Sequence, residues 1–219
     1  MDTHRPLSAR RRSGGFTLIE LMVVMAIIAT LAGLGMVGIP ALLRSSEQTA
    51  AKDRLTSIYK LLGAYQITHK RWPGSERAGA LFPLTVWDGG TLDKTGKDAK
   101  VFFDPSLGGE PFADLSNINE EGINWTGPSF ERGRRYSASM RNANDHIIVC
   151  NKVMAVQDED DLDFLPHAGK GIVYLTAGGQ ADFMSADQFT DEIPVVGPNS
   201  NIKSLQRMVE YDDQGSADQ

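Results

Sequence analysis

Three hydropathy regimes follow one another along the chain. From Leu21 to Leu43 no charged residue occurs in 23 positions. As a helix this run is about 34 Å long, enough to cross a hydrocarbon core of ~30 Å. After Pro40 the pattern turns amphipathic. Ala51, Leu55, Ile58, Leu62 and Tyr65 recur at steps of four and three, which is one face of a helix. Lys52, Arg54, Lys60 and Gln66 fall off that face. Trp72-Pro73-Gly74 closes the pattern, because a residue before proline avoids helical geometry and glycine permits a turn. The expectation is one helix from about Thr17 to Lys70, its first half suited to a membrane and its second half to a folded domain. Gly33, Gly35, Gly38 and Pro40 fall within it. Glycine costs ~1 kcal/mol in a helix and proline ~3, so a soft or kinked stretch is expected between Gly33 and Pro40.

Beyond residue 73, short β-like runs alternate with turn signals. Lys100 to Phe103 precedes Asp104-Pro105, Arg135 to Met140 alternates, and Ile147 to Val149 is continuously apolar. Gly171 to Thr176, then Ala177-Gly178-Gly179, then Gln180 to Met184 reads as a hairpin, since Gly-Gly suits the positive φ angles of tight turns. Ser185 to Gln188 has a capping-box pattern that can start a short helical turn. The fold class expected is α+β: a long N-terminal helix packed on a small antiparallel sheet of three to five strands. From Gly197 onward the chain is polar, with one amphipathic turn at Ile202, Leu205 and Val209, and reads as a tail.

Charge changes this picture at the N-terminus. Arg5, Arg10, Arg11 and Arg12 against Asp2 give residues 1–15 a net +3, so that the rest of the chain carries −9 of the total −6. An acidic body argues against non-specific nucleic-acid binding, which needs clustered Lys and Arg. Basic residues just before an apolar stretch mark a cytoplasmic flank. A secretory signal peptide has an apolar stretch of only ~7–15 residues, too short for this run. A twin-arginine signal fits poorly, because Ser13-Gly14-Gly15 separates the arginines from Phe16.

Glu20 sits where the apolar run begins. A carboxylate placed in a bilayer costs ~2.5–3.5 kcal/mol, and a simple anchor gains nothing from it. No Lys or Arg lies between Phe16 and Leu43 to compensate it. Cleavage after Gly15 would create the missing positive charge as the α-amine of Phe16.

The segment Arg12 to Ala29, reading Arg-Ser-Gly-Gly-Phe-Thr-Leu-Ile-Glu-Leu-Met-Val-Val-Met-Ala-Ile-Ile-Ala, resembles the class III signal of type IV pilins and type II secretion pseudopilins. The resemblance implies a pilin-like fold. It also implies that a prepilin peptidase cuts between Gly15 and Phe16 and that Phe16 is N-methylated. Glu20 matches the family's glutamate, whose implied role is to pair with the Phe16 amine of a neighbouring subunit during assembly. The chain departs from the family pattern at Val37, where a proline is usual; here the proline is Pro40. The helix end His69-Lys70-Arg71-Trp72-Pro73 resembles that of the major pseudopilin, and the hairpin after His167 is similar to the C-terminal hairpin of some pseudopilin-like proteins.

Other chemistry reads as structural. Asp88 to Asp98 is a near miss to a phosphate-binding loop: Gly90 and Gly96 are one residue too far apart, and Asp98 replaces the hydroxyl residue that would hold magnesium. It is expected to be a solvated loop. The acidic run holding Asp158, Asp160, Asp161 and Asp163 offers oxygen ligands for calcium, but lacks the glycine and glutamate of an EF-hand. It reads as a solvated loop, and no cofactor is expected. Cys150 is the only cysteine, which excludes an intramolecular disulfide and reads as a small buried hydrophobe. His4, His69, His146 and His167 are scattered and read as structural or solvent-facing. Asn124-Trp125-Thr126 matches a glycosylation acceptor.

The organisation expected is a leader at 1–15, a membrane and assembly helix at 16–43, an amphipathic helix at 44–72, a β-rich domain at 73–196 and a tail at 197–219. The function expected is a non-enzymatic subunit of a type II secretion pseudopilus. The subunit would lie in the bacterial inner membrane, its domain periplasmic or extracellular, until it joins a filament. Its partners would be the prepilin peptidase, other pilin or pseudopilin subunits, an inner-membrane assembly platform and lipid. A minor pilin of a type IV pilus is the alternative. From another class, so is a membrane-anchored enzyme or ligand-binding domain with a pilin-like anchor.

Overall fold

A computed structural model describes residues 16–107, 115, 118–129, 143–153, 165–189 and 195–211. The strand expected over Arg135 to Met140 lies outside them. The chain divides into two compact units, residues 1–43 and 44–219.

Helix α1 runs Leu18–His69. Its first part is apolar and long enough to cross a membrane. Leu18, Ile19, Met22, Ile28, Leu34, Met36 and Leu42 all stand exposed, as side chains destined for lipid or for other helices do. The helix assignment is continuous through the stretch from Gly33 to Pro40, where softness or a kink is expected. Pro40 lies inside an unbroken helix. It removes one N–H and crowds the preceding turn, and the flanking Ala41-Leu42-Leu43 and the Ala, Ile and Leu residues before Gly33 keep the helix going.

In the second unit α1 turns one face to a core. Ala51, Leu55, Ile58 and Leu62 are fully buried. They pack with Phe82, Phe102, Trp125, Ile148, Val173 and Leu175. Burying each Leu or Ile contributes ~1.5–3 kcal/mol. Off that face, Lys52 Nζ donates to Asp182 Oδ1 at 2.9 Å, and Arg54 donates to the Phe103 carbonyl at 2.6 Å. The helix stops as expected: Lys70 takes a left-handed φ of 56° just before Trp72-Pro73.

Among the described residues, four antiparallel strands form one sheet in the order β1-β2-β3-β4: β1 Trp125–Thr126, β2 Ile147–Asn151, β3 Gly171–Thr176 and β4 Ala181–Ser185. β3 and β4 make the expected hairpin, with Val173 opposite Phe183. Gly179 at its tip has φ 87° and lies against the Tyr59 ring, where a side chain would collide. The continuous apolar run of β2 has a reason: every one of its residues is buried, because the sheet is covered on both faces. Ile148 and Val149 join the core under α1, whereas Ile147 and Cys150 join a second cluster. A register shift between Ile147 and Val149 lets two consecutive residues face the same way.

That second cluster corrects the reading of residues 197–211 as part of a tail; 212–219 lie outside the described residues. Val195, Val196, Leu205 and Met208 pack with Ile172 and Leu165 over the far face of the sheet. Pro128 pairs with Met208, the Val209 N–H donates to the Gly127 carbonyl at 3.3 Å, and Tyr211 is buried. Beyond the short amphipathic turn at Ile202, Leu205 and Val209, the apolar residues are spaced among polar ones without a sustained strand or helix period, yet a two-faced sheet needs a cover.

Two further corrections concern residues 81–103. Helix α2, Leu81–Asp88, carries no expectation from the sequence, yet it buries Phe82, Leu84, Val86 and Trp87. Lys100 to Phe103 is not a strand. Thr95 and Asp98 form a capping box that starts the short helix α3, Gly96–Ala99, and a 3₁₀ turn follows over Lys100–Phe102. The Asp98 carboxylate that spoils the phosphate-loop pattern is therefore used to cap a helix. The capping box at Ser185 is present as expected, with the Gln188 side chain accepting from the Ser185 N–H at 3.1 Å.

Candidate functional site

The first site is the start of α1. Thr17 stands just before the helix and Glu20 lies in its first turn. The Thr17 N–H and hydroxyl both donate to Glu20 Oε2 at 2.8 Å, and the Glu20 N–H donates back to Thr17 Oγ1 at 3.3 Å. This reciprocal pair satisfies donors that a helix start leaves open, and it sets a carboxylate against the positive end of the helix dipole. Phe16 and Glu20 are both exposed. The apolar helix thus presents a carboxylate of fixed orientation four residues after Phe16. Gly15 lies outside the described residues, as do Asp158, Asp160, Asp161 and Asp163.

The second site was not legible as such. Asp104, just before a 3₁₀ turn over Pro105–Leu107, has a fully buried carboxylate. Its Oδ1 accepts from the Ser106 N–H and hydroxyl, each at 2.7 Å, and its Oδ2 accepts from Asn151 Nδ2 at 2.6 Å. His167 Nε2 approaches Oδ2 at 3.3 Å, and that imidazole is also fully buried. The Ser106 hydroxyl accepts from the His167 N–H at 3.1 Å, and Asn151 Oδ1 accepts from the Val173 N–H at 2.7 Å. Burial alone would raise the Asp104 carboxyl pKa. The imidazole, with Ser106 and Asn151, instead holds it below the usual value. Both side chains, Asp104 and His167, are fully buried, and the cluster ties the turn before β3 to β2 and β3.

The remaining sequence candidates also find structural places. Cys150 is buried, and burial pushes its thiol pKa far up, which makes it inert. His69 stacks on Tyr65 with ring centroids 4.0 Å apart, and His146 is exposed. Asn124 is no free glycosylation acceptor: its Oδ1 accepts from the Asp104 N–H at 2.8 Å, and Trp125 and Thr126 beside it are fully buried. Lys152 donates to the carbonyls of Glu120 and Glu121 and lies 4.8 Å over the Tyr211 ring, and burial lowers its pKa to about 8.

Comparison with known proteins bears on the first site. Residues 10–36 match the family model described as the prokaryotic N-terminal methylation motif, a stretch that includes Gly15, Phe16 and Glu20. The chain is similar to the type II secretion system core protein G of Aeromonas hydrophila. The two are 28% identical over 98 residues, covering 41% of this chain and 68% of that protein. No solved structure matches. The methylation motif at the head of one long helix, and the four-stranded antiparallel sheet that the described residues pack on the second half of that helix, support a place in the type IV pilin and pseudopilin family.

Proposed function

We propose that this pilin-like subunit serves a type II secretion pseudopilus. The observation that carries the reading is the exposed, uniformly apolar start of α1 with a single oriented carboxylate, Glu20, at its head. In the free subunit this helix resides in the inner membrane, with the domain on the periplasmic side. Prepilin peptidase cuts between Gly15 and Phe16 and the new Phe16 amine is methylated. An assembly platform then moves the helix from lipid into a filament core, where packing against other subunits replaces lipid contact. Glu20 pairs there with the Phe16 amine of a neighbour and sets the axial register. Desolvation strengthens such a pair, and leaving the carboxylate unpaired in an apolar core is costly.

The similarity to a type II core protein favours the pseudopilus over a type IV pilus. So does the lone cysteine, which cannot close a C-terminal disulfide loop. The work is mechanical rather than catalytic, and no nucleic acid takes part. The test is to express the full chain with its peptidase beside a type II assembly platform or beside a type IV pilus platform. Sheared filaments containing the chain are expected with the type II platform. Filaments with the type IV platform alone would overturn the assignment.

A further inference from the structure

Pro166–Gly169 leads into β3, and it is not a regular helix. His167 (φ 58°, ψ 42°) and Ala168 (φ 57°, ψ 50°) are left-handed, and Gly169 follows at φ 74°. Two consecutive non-glycine residues in this region are strained and persist only where their surroundings hold them. Here the hold is a directed chain. The His167 N–H donates to Ser106 Oγ, whose own proton goes to Asp104 Oδ1. Asn151 links the other carboxylate oxygen to the Val173 N–H of β3. The imidazole edge lies against the same oxygen and stacks edge-on to Phe183 of β4. One carboxylate therefore fastens the turn, β2 and β3 at once.

We propose that Asp104 is an acid-sensitive latch on the strained turn at His167–Gly169: ionised, it fastens the turn and the start of β3, and protonated, it releases them before the rest of the domain unfolds. Protonation puts a hydrogen where three donors already point. A proton on Oδ1 makes the Ser106 hydroxyl turn away, and a proton on Oδ2 stands against the Asn151 donor; in either case one bond of the latch is lost. The titratable groups facing this carboxylate, among the described residues, are His167 from the turn and Arg54 from α1, whose guanidinium also feels Asp104. The sign follows from the Asp104 pKa, which lies below the usual carboxylate value. The latch is fully engaged above the unfolded carboxylate pKa of ~3.9, and it is lost as pH falls through the lower folded value.

Amide hydrogen exchange on the full chain in detergent micelles tests this. The His167 and Val173 amides donate directly into the network and are the reporters; the Ile58 and Leu62 amides of α1 are the controls. From pH ~6 to pH ~3, reporter protection, corrected for intrinsic rates, should fall severalfold, up to the about ninefold that one carboxyl of unfolded pKa ~3.9 can give, while the controls hold. Asp104→Asn should give low reporter protection at both pH values, with no step between them. Ser106→Ala removes the hydroxyl donor to Oδ1 and keeps the backbone one; because it also removes the acceptor of the His167 N–H, Val173 is its reporter, and the Val173 step should move to higher pH. Reporters that fall only together with the controls would overturn the latch. So would a Ser106→Ala step at the wild-type pH.

Discussion

Glu20 and Thr17 hold each other across the first turn of α1, two donors of Thr17 meeting one carboxylate oxygen at 2.8 Å. The carboxylate that starts an apolar helix is thus already oriented within the subunit, before any neighbour arrives. The cap that Glu20 makes on its own helix is observed; its pairing with a partner's amine is the proposed role.

Replacing Glu20 tests the second role. Glu20→Ala should be processed normally, since the cleavage junction Gly15–Phe16 is intact, yet assemble poorly because the neighbour's amine finds no carboxylate. The filament fraction recovered after shearing should fall by about tenfold or more, the factor that ~1.4 kcal/mol per contact already gives. Wild-type yield from this variant would remove Glu20 from the assembly mechanism.

Core residues of α1 should behave differently. Leu55 and Ile58 are fully buried against the sheet, so Leu55→Ala should destabilise the domain by ~2–5 kcal/mol. Lys60, exposed on the same helix, should tolerate alanine within ~0.5 kcal/mol. Urea unfolding of the full chain in micelles, followed by tryptophan fluorescence, reads both. Equal midpoints for the two variants would mean that α1 does not pack on the sheet as described.

The cover formed by residues 195–211 is the third point of attack. A stop codon after Gly197 removes Leu205 and Met208 and uncovers Cys150 and Ile172. The intact chain should resist alkylation at pH ~8, because burial shields the Cys150 thiol and raises its pKa. The shortened chain should be labelled rapidly. Equal labelling rates, measured by intact mass, would restore the reading of this segment as a tail.

These contrasts mark what was readable in the sequence. The step-of-four-and-three stripe of Leu55, Ile58 and Leu62 was legible because a helix on a core must repeat that way. The hairpin was legible because Gly178-Gly179 sits between two β-rich runs. Lys100 to Phe103 misled: β-like composition lost to a helix start set by Thr95 and Asp98. Leu205 was visible only as part of one amphipathic turn and Met208 not at all, because a segment that covers a sheet needs apolar residues but no long period. The Glu20 site was visible as an unexplained charge in an apolar run. The buried partnership of Asp104 with His167 joins residues 63 positions apart in the chain, and no local pattern announces it.

The most direct test of the account is the mass of the mature N-terminal peptide, taken from full-length protein expressed with a prepilin peptidase. The account requires a chain that begins at Phe16 and carries one methyl group on its α-amine, and Gly15→Val should leave the leader in place. An N-terminus at Met1, a cut elsewhere, or normal maturation of Gly15→Val would contradict it.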